Sequence, residues 1–379
     1  MKNKLIVIGP LPPPYYGQSI GFDSLCKELN YLTDLHIVDI QPKFSTPGSS
    51  WEISRVFEYL KCLLVFFYYL IKTNRNCIVY ITIAQSSAGF VRDFAFIVIS
   101  HFFKRKVIAH LKGGNFNNFF INSSSLQKCL IKFLYKKVYK IIVLGNTLKN
   151  SFDFSNKVKN KVVVIENGLT EQTITLNNKP EKNSKQINIL FLSNLIVTKG
   201  YLDLLNALKY FEKVSLQYKC TFAGNIYTSP DDPEKKDVKT LKHIFLKQIS
   251  ELKNKNNVLF LGPVEGNIKK KLLLDADVFV LPTYYINEGQ PISIIEAMAY
   301  KTAIISTKYR SIQDLVTNNK EGFLLQPNNP KDIAEKLKFL YQNKLFLEKM
   351  KENAFKKYIN NFTREIHIKK MLKILEVTD

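Results

Sequence analysis

The sequence predicts an α/β fold with two doubly wound parallel sheets, one in each half of the 379-residue chain. Short runs of Val, Ile and Leu alternate with longer segments whose apolar residues recur at helical spacing. Apolar strands of this kind are typical of parallel sheets that helices cover on both faces. The alternation breaks once, at a polar stretch without period, and then resumes. A length of 379 residues also suits two domains of about 100–200 residues each.

The first half, residues 1–170, is predicted to form one Rossmann-like domain. Its predicted strands are Leu5–Gly9, Leu35–Asp39, Ile78–Ile83, Val107–His110, Ile141–Leu144 and Val162–Ile165. Its predicted helices are Ser19–Leu29, Ile53–Ile71, Val91–Phe103 and Leu126–Tyr139. The apolar start of the chain is too short for the core of a signal peptide, and four prolines follow it. We therefore interpret that start as a buried first strand.

A polar linker is predicted over residues 171–186, and a second Rossmann-like domain over residues 187–345. The predicted strands of this domain are Ile187–Leu192, Lys219–Ala223, Val258–Leu261, Val278–Leu281, Ala303–Ser306 and Phe323–Leu325. Its predicted helices are Leu202–Phe211, Val238–Leu252, Ile268–Asp275, Pro291–Tyr300 and Pro330–Tyr341. Because ligands of open α/β sheets bind at the carboxyl ends of strands, we expect the site in a cleft between the domains.

The composition excludes several classes of protein. Lys and Arg outnumber Asp and Glu by 55 to 32, which gives +23 and suggests nucleic acid, an anionic membrane, phosphate-bearing substrates or a lysine-rich background. The dinucleotide motif GxGxxG, the P-loop GxxxxGK[ST] and the hydrolase motif GxSxG are missing. The five cysteines are scattered, which favours a reducing compartment and no zinc site.

Three apolar segments of the first half raise the question of membrane contact. Cys62–Ile71 and Phe94–Phe103 are each about half as long as a membrane-spanning helix, so both are expected to be buried or interfacial. Leu126–Tyr139 carries an apolar stripe with Lys128, Lys132, Lys136 and Lys137 largely beside it. Such a helix can lie on an anionic membrane or face the core with a solvated lysine side, and the pattern leaves both readings open.

The segment Leu281–Tyr300 carries most of the predicted chemistry. A strand ends there, a polar loop follows with Glu288, and a helix opens at Pro291, a residue suited to the first helical position. The free backbone N–H groups of Gly289, Gln290 and the first helical turn would bind phosphate or sugar hydroxyls. Glu296 lies eight residues after Glu288, inside the helix, and suits paired ribose hydroxyls.

This segment closely resembles the E-x7-E signature of the retaining glycosyltransferases of family four, which have the GT-B fold. Other motifs agree in order over roughly residues 5–340: GPLPPPYYGQS, HLKGGNF, ENG, LSNLIVTKG and LGPV. The resemblance implies two Rossmann-like domains facing a cleft, and helices in residues 346–379 that cross back towards the N-terminal domain.

The resemblance assigns roles to residues of the second half. Lys199 matches the lysine that binds the donor diphosphate, and Asn194 stands where the common pattern has an arginine. Glu288 is expected near the donor sugar, and Glu296 is expected to hold the ribose. Val264, in the LGPV loop, is expected beside the nucleotide base.

Four residues of the first half are candidates by the same resemblance. Gly17 belongs to the loop that approaches the donor phosphates. Gly113 belongs to the glycine pair of the cleft loop, where Lys112 stands in place of the usual histidine and His110 lies two residues earlier. Either side chain could face the donor sugar, because alternate residues of a strand point the same way.

The implied activity is retaining transfer of a sugar, most simply from a UDP-sugar, to a glycan or lipid-linked acceptor in bacterial surface polysaccharide synthesis. No bound divalent metal and no nucleic-acid partner are expected. Asp275 and Asp277 match the letters of a DxD motif, but we interpret Asp277 as structural. The expected place is the cytoplasm, at most peripheral on the inner membrane face. Alternatives are another GT-B enzyme, such as a nucleotide-sugar 2-epimerase, and a basic nucleic-acid binder.

Overall fold

A computed structural model describes residues 4–13, 17–41, 53–169, 186–214 and 216–377. The described residues form two compact units, each with its own parallel sheet of six strands. The N-terminal unit contains the described residues up to Leu169 and those from Arg364 onward, and the C-terminal unit contains those from Gln186 to Thr363. Apart from Gln186, the predicted linker lies outside the described residues.

The N-terminal unit alternates strands and helices as the hydrophobic pattern predicts. Its strands are β1 (Lys4–Gly9), β2 (Asp34–Asp39), β3 (Ile78–Ile83), β4 (Lys106–Leu111), β5 (Lys140–Val143) and β6 (Val162–Val164). Its helices are α1 (Gly17–Leu32), α2 (Ile53–Lys72), α3 (Ser87–Phe102), α4 (Phe116–Asn122), α5 (Ser125–Lys137), α6 (Asn156–Lys159) and, from the end of the chain, α14 (Arg364–Ile374). Helix α3 begins four residues before its predicted start, because the Ser86 hydroxyl caps it by accepting the Gly89 N–H.

The sheet of this unit has the order β2-β1-β3-β4-β5-β6, and helices cover both faces. Alternate residues of β1 divide between the two faces: Ile6 and Ile8 pack with α2, α3 and α5, whereas Leu5 and Val7 pack with α1 and α14. Burial on both faces explains why the strands are apolar throughout.

Helix α5 uses much of its predicted apolar stripe to pack against the core. Leu134 and Val138 are buried, whereas Leu126 and Phe133 are exposed. The buried side also includes Ile131, which was not part of the predicted stripe. Of the two readings that the sequence left open, packing against the core therefore holds for the side that carries Ile131 and Leu134, and the position of the sheet decides which side faces inward.

The C-terminal unit follows the same plan. Its strands are β7 (Ile187–Leu192), β8 (Tyr218–Ala223), β9 (Val258–Phe260), β10 (Val278–Leu281), β11 (Ala303–Thr307) and β12 (Gly322–Leu325). Its helices are α7 (Tyr201–Phe211), α8 (Val238–Ser250), α9 (Gly266–Asp275), α10 (Ile292–Ala299), α11 (Ile312–Leu315), α12 (Pro330–Gln342) and α13 (Lys344–Asn361). The strand order is β12-β11-β10-β7-β8-β9, so the chain changes direction across the sheet between β7 and β10.

Helix α13 belongs to the C-terminal unit, and the chain joins the N-terminal unit only from Arg364. Helix α13 contacts α10, β11 and α12 of this unit. Its buried residues include Leu347, Met350, Ala354 and Tyr358. The structural boundary therefore differs from the predicted one at residue 346. Within the described residues, no helix is long and apolar enough to cross a membrane.

Candidate functional site

The carboxyl ends of β7 and β10 lie side by side in the C-terminal unit, at the point where the strand order reverses. The two strands pair directly, with Ile189 opposite Val278. The loop 193–200 follows β7 and the loop 282–291 follows β10. They are joined where the Tyr284 N–H donates to the Thr198 carbonyl at 2.8 Å. This is the position at which open parallel sheets bind ligands.

Lys199 and Glu288 form an ion pair between these two loops, with 3.5 Å between Nζ and Oε2. Lys199 also donates to Ser193 Oγ at 3.1 Å, and Thr283 Oγ1 donates to Glu288 Oε2 at 3.1 Å. The Lys199 and Glu288 side chains are 17% and 8% exposed, so water screens their charges only weakly. A cation held in this way is placed to meet negative charge that a ligand brings or develops. The partners Ser193 and Thr283 carried no signal in the sequence.

Two glycines allow the backbones around Lys199 to approach each other. Gly200 has φ +78°, and a Cβ atom there would lie 2.5 Å from the Pro282 carbonyl oxygen. Gly224 has φ +146°, and its Cβ would lie 1.9 Å from the Ser193 carbonyl oxygen. Any other residue would force the loops apart or adopt a strained backbone. Gly224 is a further position that the sequence reasoning missed.

The loop before α10 is largely buried from Glu288 to Pro291. Pro291 is the N-cap of α10 and not its first helical residue, because its ψ of 113° is extended. The Gly289 carbonyl accepts a hydrogen bond from Ser311 Oγ, and the Gln290 side chain is buried. The loop is therefore fixed by packing and by a hydrogen bond from outside the predicted motif.

Glu296 lies on α10 and pairs with Lys269 of α9, with 2.5 Å between Oε1 and Nζ. The two side chains are partly exposed, so a ligand could reach them. Lys269 was not predicted, although it stands in a run of three lysines at the start of α9. The structure thus gives Glu296 a basic neighbour and Glu288 a different one, Lys199.

The two remaining candidates of this unit lie in loops of the same sheet. Asn194 follows β7, is half-buried, and its carbonyl accepts the Ile196 N–H at 3.0 Å. Val264 is half-buried in the loop between β9 and α9. That loop is tied to the end of β8, where the Gly224 N–H donates to the Gly262 carbonyl at 2.7 Å.

The candidates of the N-terminal unit lie around the end of β4. His110 is completely buried, on the sheet face that also carries Ile108, and its Nδ1 lies 2.8 Å from the Tyr80 hydroxyl. Lys112, two residues on, is half-buried. It is close enough to lower the pKa of His110 and also that of His367, a residue of α14 that the sequence reasoning missed.

Burial sets the charges of His110, Lys112 and His367, which we call the Lys112 cluster. It is the main cause that holds the pKa of His110 well below 6.5, and it lowers the pKa of His367 to about 4. Both imidazoles are therefore neutral at neutral pH. Burial also lowers the pKa of Lys112 to about 7, and no acidic side chain of the described residues offsets this. Lys112 is thus the group of the cluster whose charge changes near neutral pH.

The glycine pair after Lys112 is held by Gln85 of the N-terminal unit. The Asn115 N–H donates to Gln85 Oε1 at 2.5 Å, and a Cβ on Gly113 would lie 1.8 Å from Gln85 Nε2. A side chain at position 113 would therefore require the Gln85 side chain to move. Gly17 is exposed as the first residue of α1, and the residues just before it lie outside the described part of the chain.

Asp277 has structural partners. Its Oδ2 accepts the Asn188 N–H at 2.9 Å, and its Oδ1 lies 3.6 Å from the buried Lys351 ammonium of α13. Among the described residues, no group of three or more His, Cys, Asp or Glu side chains could hold a metal ion.

Sequence comparison finds similarity to glycosyltransferases. Residues 172–357 match the family model of the glycosyl transferases group 1. The capsular polysaccharide biosynthesis glycosyltransferase CapM of Staphylococcus aureus is 27% identical over 237 residues, which are 60% of this chain and 58% of CapM. A Campylobacter jejuni N,N'-diacetylbacillosaminyl-diphospho-undecaprenol alpha-1,3-N-acetylgalactosaminyltransferase is 31% identical over 104 residues, 27% of each chain. The matches thus span less than two thirds of these relatives.

The fold of the whole chain has solved counterparts. The structure of Anabaena HepE in complex with UDP superimposes with a TM-score of 0.72 over 99% of this chain and all of that one, at 15% identity. The chain therefore has the GT-B fold, with a C-terminal unit that is similar in sequence to the glycosyl transferases of group 1.

Proposed function

We propose that this protein is a retaining glycosyltransferase that moves a sugar from a UDP-sugar to a glycan or lipid-linked acceptor in surface polysaccharide synthesis. The observation that carries the proposal is the Lys199–Glu288 pair at the reversal point of the C-terminal sheet. The group 1 family match over the same residues supports it. The names of the relatives, one capsular and one acting on a diphospho-undecaprenol substrate, support the class of acceptor.

The proposed donor site uses charges that already compensate one another. A nucleoside diphosphate would take Lys199 as its counter-ion and leave Glu288 to the hydroxyls of the donor sugar. Glu296 would accept the paired ribose hydroxyls, and Val264 would lie beside the base. The backbone N–H groups of Gly289 and Gln290 would complete the anion site, with Asn194 and Pro291 shaping it.

The proposed reaction needs no carboxylate nucleophile. The bond from the anomeric carbon to the diphosphate oxygen breaks, and the acceptor oxygen forms a bond to the same face of that carbon. A diphosphate oxygen takes the acceptor proton, while Lys199 stabilises the negative charge of the leaving group. A lysine and backbone N–H groups supply this stabilisation, so we propose that transfer is independent of divalent metal.

The proposed acceptor site lies in the N-terminal unit, with His110, Lys112 and Gly113, whereas Gly17 belongs to the loop that would approach the donor phosphates. Lys112 would meet a phosphate or a sugar carboxylate, and neutral His110, which is completely buried, would support the loop that carries Lys112. The enzyme would act in the cytoplasm, peripheral to the inner face of the membrane. No nucleic-acid partner is proposed.

The test is a panel of nucleotide-sugars, read by thermal shift and by release of nucleoside diphosphate, with and without a chelator. We expect UDP-sugars to stabilise the wild type, with activity unchanged by chelation. Lys199→Met should lower kcat about 100-fold, as loss of one charge-stabilising group does. Glu296→Gln should weaken UDP binding about tenfold, a difference of about 1.4 kcal/mol.

Glu348→Gln is the matched control, because Glu348 is an exposed acid of the same unit outside the site. Absence of stabilisation by any nucleoside diphosphate would contradict the proposal. Conversion of a UDP-sugar to its epimer without an acceptor would instead indicate a 2-epimerase.

A further inference from the structure

Helix α2 exposes an apolar stripe on the side that faces away from the sheet. Its members recur every three or four residues, which puts them on one side of a helix. The stripe consists of Phe57, Leu60, Leu64, Tyr68 and Ile71. Leu64 is 71% exposed and Phe57 is 69% exposed, so the core does not explain these residues.

The opposite side of α2 already packs on the N-terminal unit. Phe66 and Leu70 are buried in the core, and Phe66 meets Phe96 of α3 edge-to-face at 5.2 Å. Helix α2 is therefore apolar on both sides. A helix of this kind is normally covered on both, and exposed apolar patches of several side chains mark interaction surfaces.

The stripe continues onto the end of α3. Phe67 of α2 contacts Phe103 at 5.4 Å between ring centroids, and Phe103 contacts Phe102 at 5.8 Å. Phe102 is 82% exposed. We call the stripe together with Phe102 the α2–α3 face. Its two helices pack together, so the face is one surface of a single unit.

The exposed charges of this face have one sign, and the acid of α2, Glu58, is half-buried. Among the described side chains of α2, those that are exposed are apolar apart from two lysines, Lys61 and Lys72. Arg75 and Lys104 follow the ends of α2 and α3 and are exposed as well. Lys72 lies 5.9 Å from the centre of the Tyr68 ring, so an aromatic ring and an ammonium stand together at the edge of the stripe.

We propose that the α2–α3 face docks this protein on the surface of an anionic lipid bilayer. Apolar side chains would enter the boundary between headgroups and acyl chains, and the lysines would meet the anionic headgroups. Tyrosine and lysine at the edge of an apolar stripe suit the membrane–water interface. Because the inner side of α2 is bound to the sheet, the helix would lie along the surface.

A second copy of the chain suits this face less well. A twofold dimer would place the same face against itself and bring Lys61 and Lys72 towards their own copies. The acid of α2, Glu58, is half-buried, and among the described exposed side chains of this helix none is acidic, so the two lysines stay in excess. Anionic lipid offers the complementary charge that a second copy lacks.

The inference deepens the proposed function, since a lipid-linked acceptor would be met at the same surface, but its test does not depend on catalysis. The full chain is floated with vesicles of phosphatidylcholine alone or with phosphatidylglycerol added. We expect flotation with the anionic vesicles, weakened by salt, and at least a tenfold loss for Leu64→Glu/Ile71→Glu. The matched control is Ile268→Glu/Leu345→Glu, which changes two exposed apolar residues of the C-terminal unit and should float like the wild type.

A charge series separates the lipid headgroup from the apolar contact. Lys61→Gln/Lys72→Gln should lose the preference for anionic vesicles, whereas Lys253→Gln/Lys255→Gln, two exposed lysines elsewhere, should keep it. Thermal melting and the UDP-induced shift of each variant report whether it folds.

Two results would overturn the inference. One is a wild type that does not float, or face variants that float as well as the control. The other is a wild-type dimer by light scattering that Leu64→Glu/Ile71→Glu converts to a monomer, which would identify a second copy as the occupant. Failure of the proposed function would appear differently, as absence of UDP-sugar binding in a protein that still floats.

Discussion

At the scale of single residues, burial gives two lysines of the candidate sites different properties. Lys199 sits against the carboxylate of Glu288 and the hydroxyl of Ser193. Lys112 is half-buried, and burial lowers its pKa to about 7. An ammonium that is buried without an acid nearby gives up its proton more easily. Lys112 therefore suits a group that gains charge when an anion binds.

We predict that the amine of Lys112 reacts with acetic anhydride at a much lower pH than ordinary lysines do. The free amine is the reactive form, and a pKa of about 7 leaves about half of it unprotonated at neutral pH. Competitive labelling followed by mass spectrometry should give half-maximal reactivity near pH 7 for Lys112, with exposed Lys104 as the internal control. Added pyrophosphate should shift the Lys112 profile to higher pH. A profile identical to that of Lys104 would contradict the prediction.

At the scale of elements, helix α13 stabilises the strands that carry the loops at 193–200 and 282–291. Its Lys351 lies 3.6 Å from Asp277, the residue before β10. The Asp277 carboxylate also accepts a hydrogen bond from the N–H of Asn188, near the start of β7. The side chains of Lys351 and Asp277 are both buried. The exposed Glu348 carboxylate also pairs with the Lys351 ammonium, at 2.6 Å. Asp277, the acid that matches the letters of a DxD motif, thus links the amino ends of β7 and β10, at the edge of the sheet opposite the candidate site.

Replacing Lys351 with Met should destabilise the C-terminal unit by about 3 kcal/mol, because it leaves the Asp277 carboxylate buried without its cation. Urea denaturation followed by circular dichroism measures this loss. Glu348→Gln removes an exposed partner and should cost less than about 1 kcal/mol. The double variant Asp277→Asn/Lys351→Met should recover part of the loss. Equal effects of Lys351→Met and Glu348→Gln would show that the buried pair is unimportant.

At the scale of the whole molecule, the end of the chain belongs to the unit at its beginning. Met371, Leu375 and Val377 pack in the core formed by α1 and one face of the first sheet. Lys106 of β4 also pairs with Glu376 at 2.7 Å. Each unit therefore has its own core, but the N-terminal core is complete only when residues far apart in sequence come together.

We expect Met371→Ala to lower the stability of the N-terminal unit by about 2–5 kcal/mol, the usual cost of truncating a buried methionine. Hydrogen exchange would detect this as lost protection in β1 and β3. Met350→Ala makes the same change in α13 and should lower protection in β10 and β11 instead. If either substitution weakened both units equally, their cores would not be independent.

The sequence by itself determined the α/β class and the two sheets, and it predicted candidate site residues in the loops at 193–200 and 282–291. Those features follow from local patterns, because strand and helix periods and the residues after a strand are set by neighbours in the chain. The candidates Glu288 and Glu296 were also predicted from local sequence, by their spacing in the segment after a strand. Part of the net charge of +23 lies at Lys199, at Lys112 and on the α2–α3 face, where we propose roles for it.

Only the tertiary structure decided which groups partner these residues. Thr283 partners Glu288, Ser193 partners Lys199, and Lys269 of a different helix partners Glu296. His367 lies near Lys112 although it belongs to the last helix. It also decided that α5 buries much of its apolar stripe whereas α2 exposes one. The physical reason is that periodicity shows which residues share a side of a helix, whereas the sheet on which the helix packs decides which apolar side meets the core.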